Sequence, residues 1–566
     1  MTPDAWLTPA RLRLVVAALG LAAIALNAPL IGWGVPQATA PDRIKTFATD
    51  EILPLEGLAE MRSTFVAEAP DRNFGYPWWH YFVVAAAQTP YLGILRLTGG
   101  LTQPAATYPY GLRDPVGSLE MLTMIGRLVS VLMGAGIVIA SFFFARALWG
   151  DSAGVAAGLL TSVSYPTAYY SRTGNLDVPA FFWSAIALAA LATMLARGVT
   201  TRRAAVFAAF AALGAATKDQ AIALFVPLCF ILAVPQFNHR PGQRYQWAPL
   251  TVGVLAGLGV YVLATGMLFD PRRHIAHLAA LLSMSHRVTN AAAYFPPAPA
   301  GWSGTLALAS EYVRGLTSMM SLPVMVAAAA GFVLAIRRSA WHLVWLLPFL
   351  MTFVLFVRIP GIVVLRYLLP LTLFVDASAA LALVRLRDSK IRAAFVPFVA
   401  VLVTVRLLAV VDLSHAQRHD TRYAAADWLR AHYRAGERIE YFGVTETLPP
   451  LDAGVDVRRI MGREHWVGEF GHGPKVLDYL RSSTGPTYVI VIPDWTSRGG
   501  IPHSADCPPE VFAALVDGSA GYSLAAEFPP PRLVPLPFAR PALDNPSVAP
   551  PVRIFTRAGS LETPQQ

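Results

Sequence analysis

Two adjacent carboxylates, Asp50 and Glu51, follow the first long apolar run of the chain. Beside a membrane face such a pair can bind a cation, take a proton or orient a sugar hydroxyl. It also suits a solvated loop, or a helix start with Asp50 as the cap. A third carboxylate, Asp177, opens another apolar run in SRTGNLDVPAFF. With Pro179 in the first turn it reads equally as a functional acid or as an N-cap. Lys218, in ATKDQ, and Arg366, in VVLRYLLP, are cations at the ends of apolar runs. Burying a cation there is costly without an anion, which Asp219, Asp177 or a ligand phosphate could supply. Arg272 and Arg273 in DPRRHIAHL, with His274, His277, His286 and Arg287, form a basic cluster. It suits a phosphate or pyrophosphate headgroup, or a pair of snorkelling side chains. The two histidines at i and i+3 could hold a divalent metal, but no third ligand can be named. Asp376 lies inside an apolar run, either paired structurally or lining a cavity.

These residues sit in a chain of 566, of which 55% are hydrophobic and 14% charged. Mean hydropathy is +0.48. A soluble protein of this size would lack the polar surface to cover itself, so the composition specifies a polytopic membrane protein. The formal charge is +10. That surplus lies in residues 1–411 and reports topology and anionic lipid rather than nucleic acid. Cys229 and Cys507 form no metal-ligand pattern. No P-loop, GxSxG, HExxH, CxxC or dinucleotide fingerprint stands in a fitting context, so the chemistry calls for a substrate already activated and resident in the membrane.

Apolar runs at 13–34, 125–147, 152–170, 178–196, 204–217, 220–235, 248–268, 316–336, 341–357, 361–384 and 393–411 predict about eleven transmembrane helices. Arg11 and Arg13, then Arg197, Arg202 and Arg203, Arg240 and Arg244, Arg337 and Arg338, and Arg385, Arg387, Lys390 and Arg392 then fall on one side, taken as cytoplasmic. The other side receives a first loop (35–124), a further loop (269–315) and a C-terminal domain (412–566). Within the first loop, 56–68 reads as an amphipathic helix, and 77–97, opening PWWHYF, as an aromatic interfacial helix. In the last part, RYAAADWLRAHYRAGERIEYFGV as a helix, then Gly436, then a strand, a buried strand at TYVIVIPDW, a helix at PEVFAALVDG and strands at SLAAEF and VRIFTR predict a small α/β domain with a Pro-rich tail. The domains are thus a membrane module, 1–411, and an extracytoplasmic α/β domain, 412–566.

The order of TDEILPLEGLAEM, YPWWHYFVVA, IGRLVSVLMGAGIVIASFFFARALWG, YSRTGNLDVPAFFW, GAATKDQAIALFVP and RYLLP resembles the GT-C fold glycosyltransferases. The similarity is to the branch containing protein O-mannosyltransferases and lipid A aminoarabinose transferases. It implies inverting transfer of a sugar from a polyprenyl-phosphate donor to a hydroxyl of a protein, lipid or glycan on the outer face of a bacterial inner membrane. By position Asp50 would be the general base, Glu51 would support it or bind acceptor, and Asp177 would be the second acid near the reacting centre. Lys218 and Arg366 would surround the donor phosphate, a task that Arg272 and Arg273 also fit by chemistry. Tyr76, Trp78, His80 and Tyr367 would contact acceptor or lipid. The family's YPP reads YPW here and its TKY reads TKD. Two other classes compete: a transporter or flippase of lipid-linked sugars, and a non-catalytic membrane scaffold. Transport calls for charges along a path through the bilayer, whereas the candidates here cluster at one face.

Overall fold

The computed structural model describes residues 6–66, 76–233, 247–282, 298–460, 473–493, 503, 506–533 and 548–558. Arg240, Arg244, His286 and Arg287 lie outside them. Every apolar run folds as helix, because a backbone in hydrocarbon must satisfy its own hydrogen bonds. Among the described residues seven helices are long and apolar enough to cross a membrane, and up to eight if one bent pair counts as a span. The protein is therefore an integral membrane protein. The helix Pro115–Trp149 starts where Asp114 accepts from Gly117 N and Pro115 takes a position that needs no amide donor. Its 35 residues span about 52 Å at 1.5 Å each. The hydrocarbon is about 30 Å thick, so this helix extends beyond it.

Other runs are broken. The run 152–170 divides into Asp151–Ser162 and Tyr165–Ser171, with Pro166 in the first turn of the second piece. The run 204–217 folds as the short Thr201–Ala215. The bent pair is Trp302–Met320 and Leu322–Arg338, which meet at 108° across Ser321, a residue at φ 69°. The first member of that pair occupies what the sequence reads as loop 269–315. The helices expected in the first outer loop form as Glu56–Phe65 and Trp79–Thr98.

The core gathers Pro115–Trp149, Asp177–Arg197 and Thr372–Arg387. Close approach depends on small residues: a Cβ on Gly134 would lie 2.1 Å from Ser171 Oγ. Asp376 is paired and does not line a cavity. Its Oδ1 lies 2.7 Å from Arg406 Nη1, its Oδ2 accepts from Thr161 Oγ1 at 3.0 Å, and Arg406 also reaches Leu160 O at 2.7 Å.

The helix Phe395–Arg418 leads into Thr421–His432, which Asp420 caps by accepting from Arg422 N. Beyond it lies a five-stranded sheet of order β2-β1-β3-β5-β4. The strands are β1 Arg438–Phe442, β2 Asp456–Arg459, β3 Tyr488–Val491, β4 Tyr522–Phe528 and β5 Val552–Arg557. β1 pairs parallel with β2 and β3, while β5 is antiparallel to β3 and β4. β2, exposed and charged at the sheet edge, carries none of the buried apolar run that marks β3. The helix Pro509–Val516 forms as read, and Gly473–Arg481 is a further one.

The Asp376–Arg406 pair makes an energetic prediction. Arg406→Ala or Asp376→Ala leaves one buried charge uncompensated and should cost about 3–5 kcal/mol. Replacing both residues by leucine should recover most of that loss. Thermal unfolding of the purified protein in detergent reads the order of the three variants.

Candidate active site

The loop carrying Asp50 is fixed from both sides. Asn175 Nδ2 donates to Thr49 O at 2.6 Å, and Ile52 N donates to Gly174 O at 3.3 Å. Between them Glu51 turns inward. Its Oε1 accepts from Arg127 Nε and from Gly174 N, both at 2.6 Å, and its Oε2 accepts from Arg127 Nη2 at 2.8 Å. Arg127 Nη1 also donates to Ile31 O at 2.7 Å and to Trp33 O. Both side chains are inside, 0% and 2% exposed. Gly174 permits this approach, since a Cβ there would sit 2.9 Å from Glu51 Cγ. Glu51 accordingly fastens the loop, its carboxylate taken up by Arg127 and Gly174 N.

Asp50, by contrast, is presented outward. Its backbone is left-handed at φ 58°, a conformation that persists in a non-glycine residue only when its surroundings over-determine it. Its Oδ2 lies 2.5 Å from Arg366 Nη1, and the side chain is 44% exposed. Burial of its base pushes the carboxyl up, but the charges of Arg366, Lys218 and Lys45 outweigh that and hold it below the usual carboxylate range.

A second pair lies beside the first. Lys218, on extended backbone after Thr201–Ala215, places Nζ 2.7 Å from Asp177 Oδ1, with both side chains 5% exposed. Asp177 therefore answers Lys218 from the first turn of its helix and does not act as a side-chain cap. Asp219 pairs elsewhere, with His277 Nε2 at 3.1 Å. The Tyr367 ring lies under both cations, with Lys218 Nζ at 5.4 Å and the Arg366 guanidinium at 5.8 Å from its centre. Tyr76 faces Lys218 at 5.9 Å, and burial raises its phenol, which stays protonated. Asp177, Lys218, Arg366, Tyr367, Ser184 and Gln220 are among the residues that line a small cleft, with about 20 Å³ of space for a water-sized group.

The structure thus brings together Asp50, Asp177, Lys218, Arg366, Tyr76 and Tyr367. Of these, Asp177, Lys218, Arg366 and Tyr367 line the cleft, Asp50 and Tyr76 sit against Arg366 and Lys218, and the other candidates are not in its lining. Arg273 is buried against Glu60 and Thr64, and Arg272 is exposed on the same helix, Pro271–Leu282. Trp78 is buried and packs on Phe82. His80 is wholly buried, has no hydrogen-bond partner among the described residues, and is pushed by burial to about 3, hence neutral. No group of three or more His, Cys, Asp or Glu side chains converges as a metal site among the described residues. Sequence reasoning missed Arg127, Gly174 and Asn175. Arg127, near the start of the apolar run 125–147, was the available signal, since an intramembrane charge needs a partner.

Residues 122–258 match the family of dolichyl-phosphate-mannose-protein mannosyltransferases. The match bears out the resemblance to GT-C glycosyltransferases of the protein O-mannosyltransferase type, and with it the glycosyltransferase class. No curated protein matches the chain. Among solved structures, the apo form of ArnT from Cupriavidus metallidurans is 12% identical, with 98% of this chain and 99% of that one covered, at a TM-score of 0.49. The same protein bound to undecaprenyl phosphate is 13% identical, with 99% and 100% covered and a TM-score of 0.40. The apo oligosaccharyltransferase of Archaeoglobus fulgidus is 12% identical, with 88% and 71% covered and a TM-score of 0.46.

The Glu51–Arg127 pair sets a testable order of stabilities. Arg127→Ala strands a buried carboxylate and should cost about 3–5 kcal/mol. Glu51→Gln keeps acceptors for Gly174 N and Arg127 and should cost less. Hydrogen exchange at the amides of residues 50–52 should rise in the same order.

Proposed function

We propose that this chain is an inverting glycosyltransferase that moves a sugar from a polyprenyl-phosphate donor to a hydroxyl of an acceptor protein, lipid or glycan. It would work at the outer face of a bacterial inner membrane, with residues 412–566 on the periplasmic side. One observation carries the reading: Asp177, Lys218 and Arg366 line one small cleft, and Asp50 pairs with Arg366 at its edge. Two cations in a partly desolvated site are a recognition surface for a phosphate diester. Here each is balanced by a carboxylate, so the site is close to neutral before donor arrives.

Donor binding then becomes an exchange of anions. The phosphate takes the Arg366 guanidinium, whose planar fork suits two phosphate oxygens, and Asp50 is released from its partner. Lys218 stays anchored to Asp177 and presents its remaining hydrogens and charge. The freed Asp50 carboxylate accepts the acceptor's hydroxyl proton as that oxygen attacks the anomeric carbon. The bond from that carbon to the phosphate oxygen breaks, and polyprenyl phosphate leaves with the electron pair. Arg366 and Lys218 stabilise the charge that develops there. A base on the ring face opposite the phosphate gives inversion. The polyprenyl tail, held by apolar surface, supplies binding energy that orients the reacting carbon.

Two outcomes test this. In membranes containing the protein, Asp50→Asn should lower sugar transfer from a polyprenyl-phosphate-mannose or polyprenyl-phosphate-aminoarabinose probe by about 10²–10⁴-fold, with normal amounts of folded protein. Full turnover in that variant would remove Asp50 as the base. Because Arg366 lowers the Asp50 carboxyl, the base stays ionised below the usual carboxylate range, and activity persists at correspondingly low pH. Arg366→Gln should raise the donor KM and move the acid limb of kcat/KM upward in pH. An unmoved limb would break the assignment.

A further inference from the structure

The Asp50 loop is also held from the C-terminal domain. Segment 33–47, which connects the first helix to that loop, is gripped by the first residues of the domain. Trp33 Nε1 donates to Asp420 Oδ2 at 3.0 Å, and Gly34 N donates to the Tyr423 hydroxyl at 2.8 Å. Phe47 N returns to Gly34 O at 2.9 Å, and Phe47 meets Trp33 edge-on at 6.0 Å between ring centres. The Arg422 guanidinium lies 3.6 Å from the centre of the Phe47 ring.

Asp420 and Arg422 are themselves joined inside the protein, Nε to Oδ1 and Nη2 to Oδ2, both at 2.8 Å, with neither side chain exposed. Arg422 Nη1 holds Glu446 O just after β1, and Ala549 N, ahead of β5, donates to Asp420 Oδ2 at 2.9 Å. One carboxylate therefore gathers a helix start, the approach to β5 and Trp33. On the far side of Trp33, its carbonyl accepts from Arg127, the residue that grips Glu51.

We propose that Asp420, Arg422 and Tyr423 are positioning residues for Asp50, acting through Trp33 and Phe47, so that the C-terminal domain is part of the catalytic apparatus. The inference rests on the glycosyltransferase reading. Its physical ground is the left-handed backbone of Asp50, which lasts only while neighbours on both sides constrain it. Residues 173–176 and Arg127 constrain it from the membrane module, and the Trp33–Phe47 segment from the domain. Releasing the second constraint lets the loop relax, and a reacting group misplaced by about 1 Å loses about 10²-fold in rate.

The test uses the full-length protein in membranes with a polyprenyl-phosphate-mannose or polyprenyl-phosphate-aminoarabinose probe. Trp33→Phe and Tyr423→Phe are made singly and together; each deletes one hydrogen bond, Tyr423→Phe keeping its ring and Trp33→Phe keeping an aromatic ring of smaller volume. Tyr479→Phe is the control for the double variant: it deletes two hydrogen bonds inside the same domain, from the Tyr479 hydroxyl to Glu440 Oε1 at 2.5 Å and from Arg438 Nη2 to that hydroxyl at 3.3 Å. The expected result is a fall in rate at saturating donor of about ten-fold or more in the double variant, with donor KM little changed. Amide exchange over residues 47–52 should rise in the double variant, and the control should match the parent in both readouts. Parental rate and exchange in the double variant would overturn the proposal, as would an equal loss in the control. If Asp50→Asn is dead while the double variant matches the parent, the transferase reading stands and the positioning role falls. If the parent itself transfers no sugar, the reading falls, and parental exchange at 47–52 in the double variant would still refute the positioning.

Discussion

A carboxylate buried in apolar surroundings demands a cation with fitting geometry, and Glu51 has one in Arg127. Two parallel hydrogen bonds join them, and the guanidinium spends its other donors on the carbonyls of Ile31 and Trp33. Because an unpaired charge there would be prohibitively costly, three stretches of chain must converge: the end of the first helix, the Asp50 loop and the helix Pro115–Trp149. That convergence turns Glu51 inward and leaves Asp50, the next residue back, half-exposed and paired with Arg366 at the edge of the cleft. Two adjacent acids of the same chemistry thus acquire different work from their surroundings alone.

The same rule governs the other ionic residues, with different consequences. Asp376 and Arg406 neutralise one another deep in the bundle, away from the cleft, and their service is to join helices. Asp50–Arg366 and Asp177–Lys218 obey the same electrostatics but lie at a small cleft, where the proposed function puts the donor phosphate. A pair at such a border can exchange one anion for another at little net cost, because the cation is never left unpartnered. Stability in the empty site and affinity for a phosphate then use the same charges.

The two halves of the molecule meet through packed, polar-anchored contacts and not through a loose connector. Arg43 donates to the carbonyls of Leu451, Asp452 and Val455, and Gln37 donates to Pro449 O. The Asp420–Arg422 pair adds the buried centre of this joint. Segment 33–47 therefore has little freedom of its own, which is consistent with a strained residue following closely after it.

Much was legible before any coordinates. Hydropathy runs found the helices, since burial in hydrocarbon is a local property of composition, and alternation found four of the five strands. The cations at the ends of apolar runs, Lys218 and Arg366, stood out because a charge in that setting must answer to something. Which anion answers was not legible. Asp219 is next to Lys218 in sequence, yet Asp177 is its partner and Asp219 turns to His277. Arg273 has the chemistry of a phosphate ligand, yet the helix Glu56–Phe65 supplies Glu60 and claims it. Sequence alone determined that the chain is a helical membrane protein and what stock of ionisable groups it carries, because both follow from residue type over short windows. Only the tertiary structure decided how those groups pair, because choosing among partners tens to hundreds of residues apart depends on packing that no local pattern encodes.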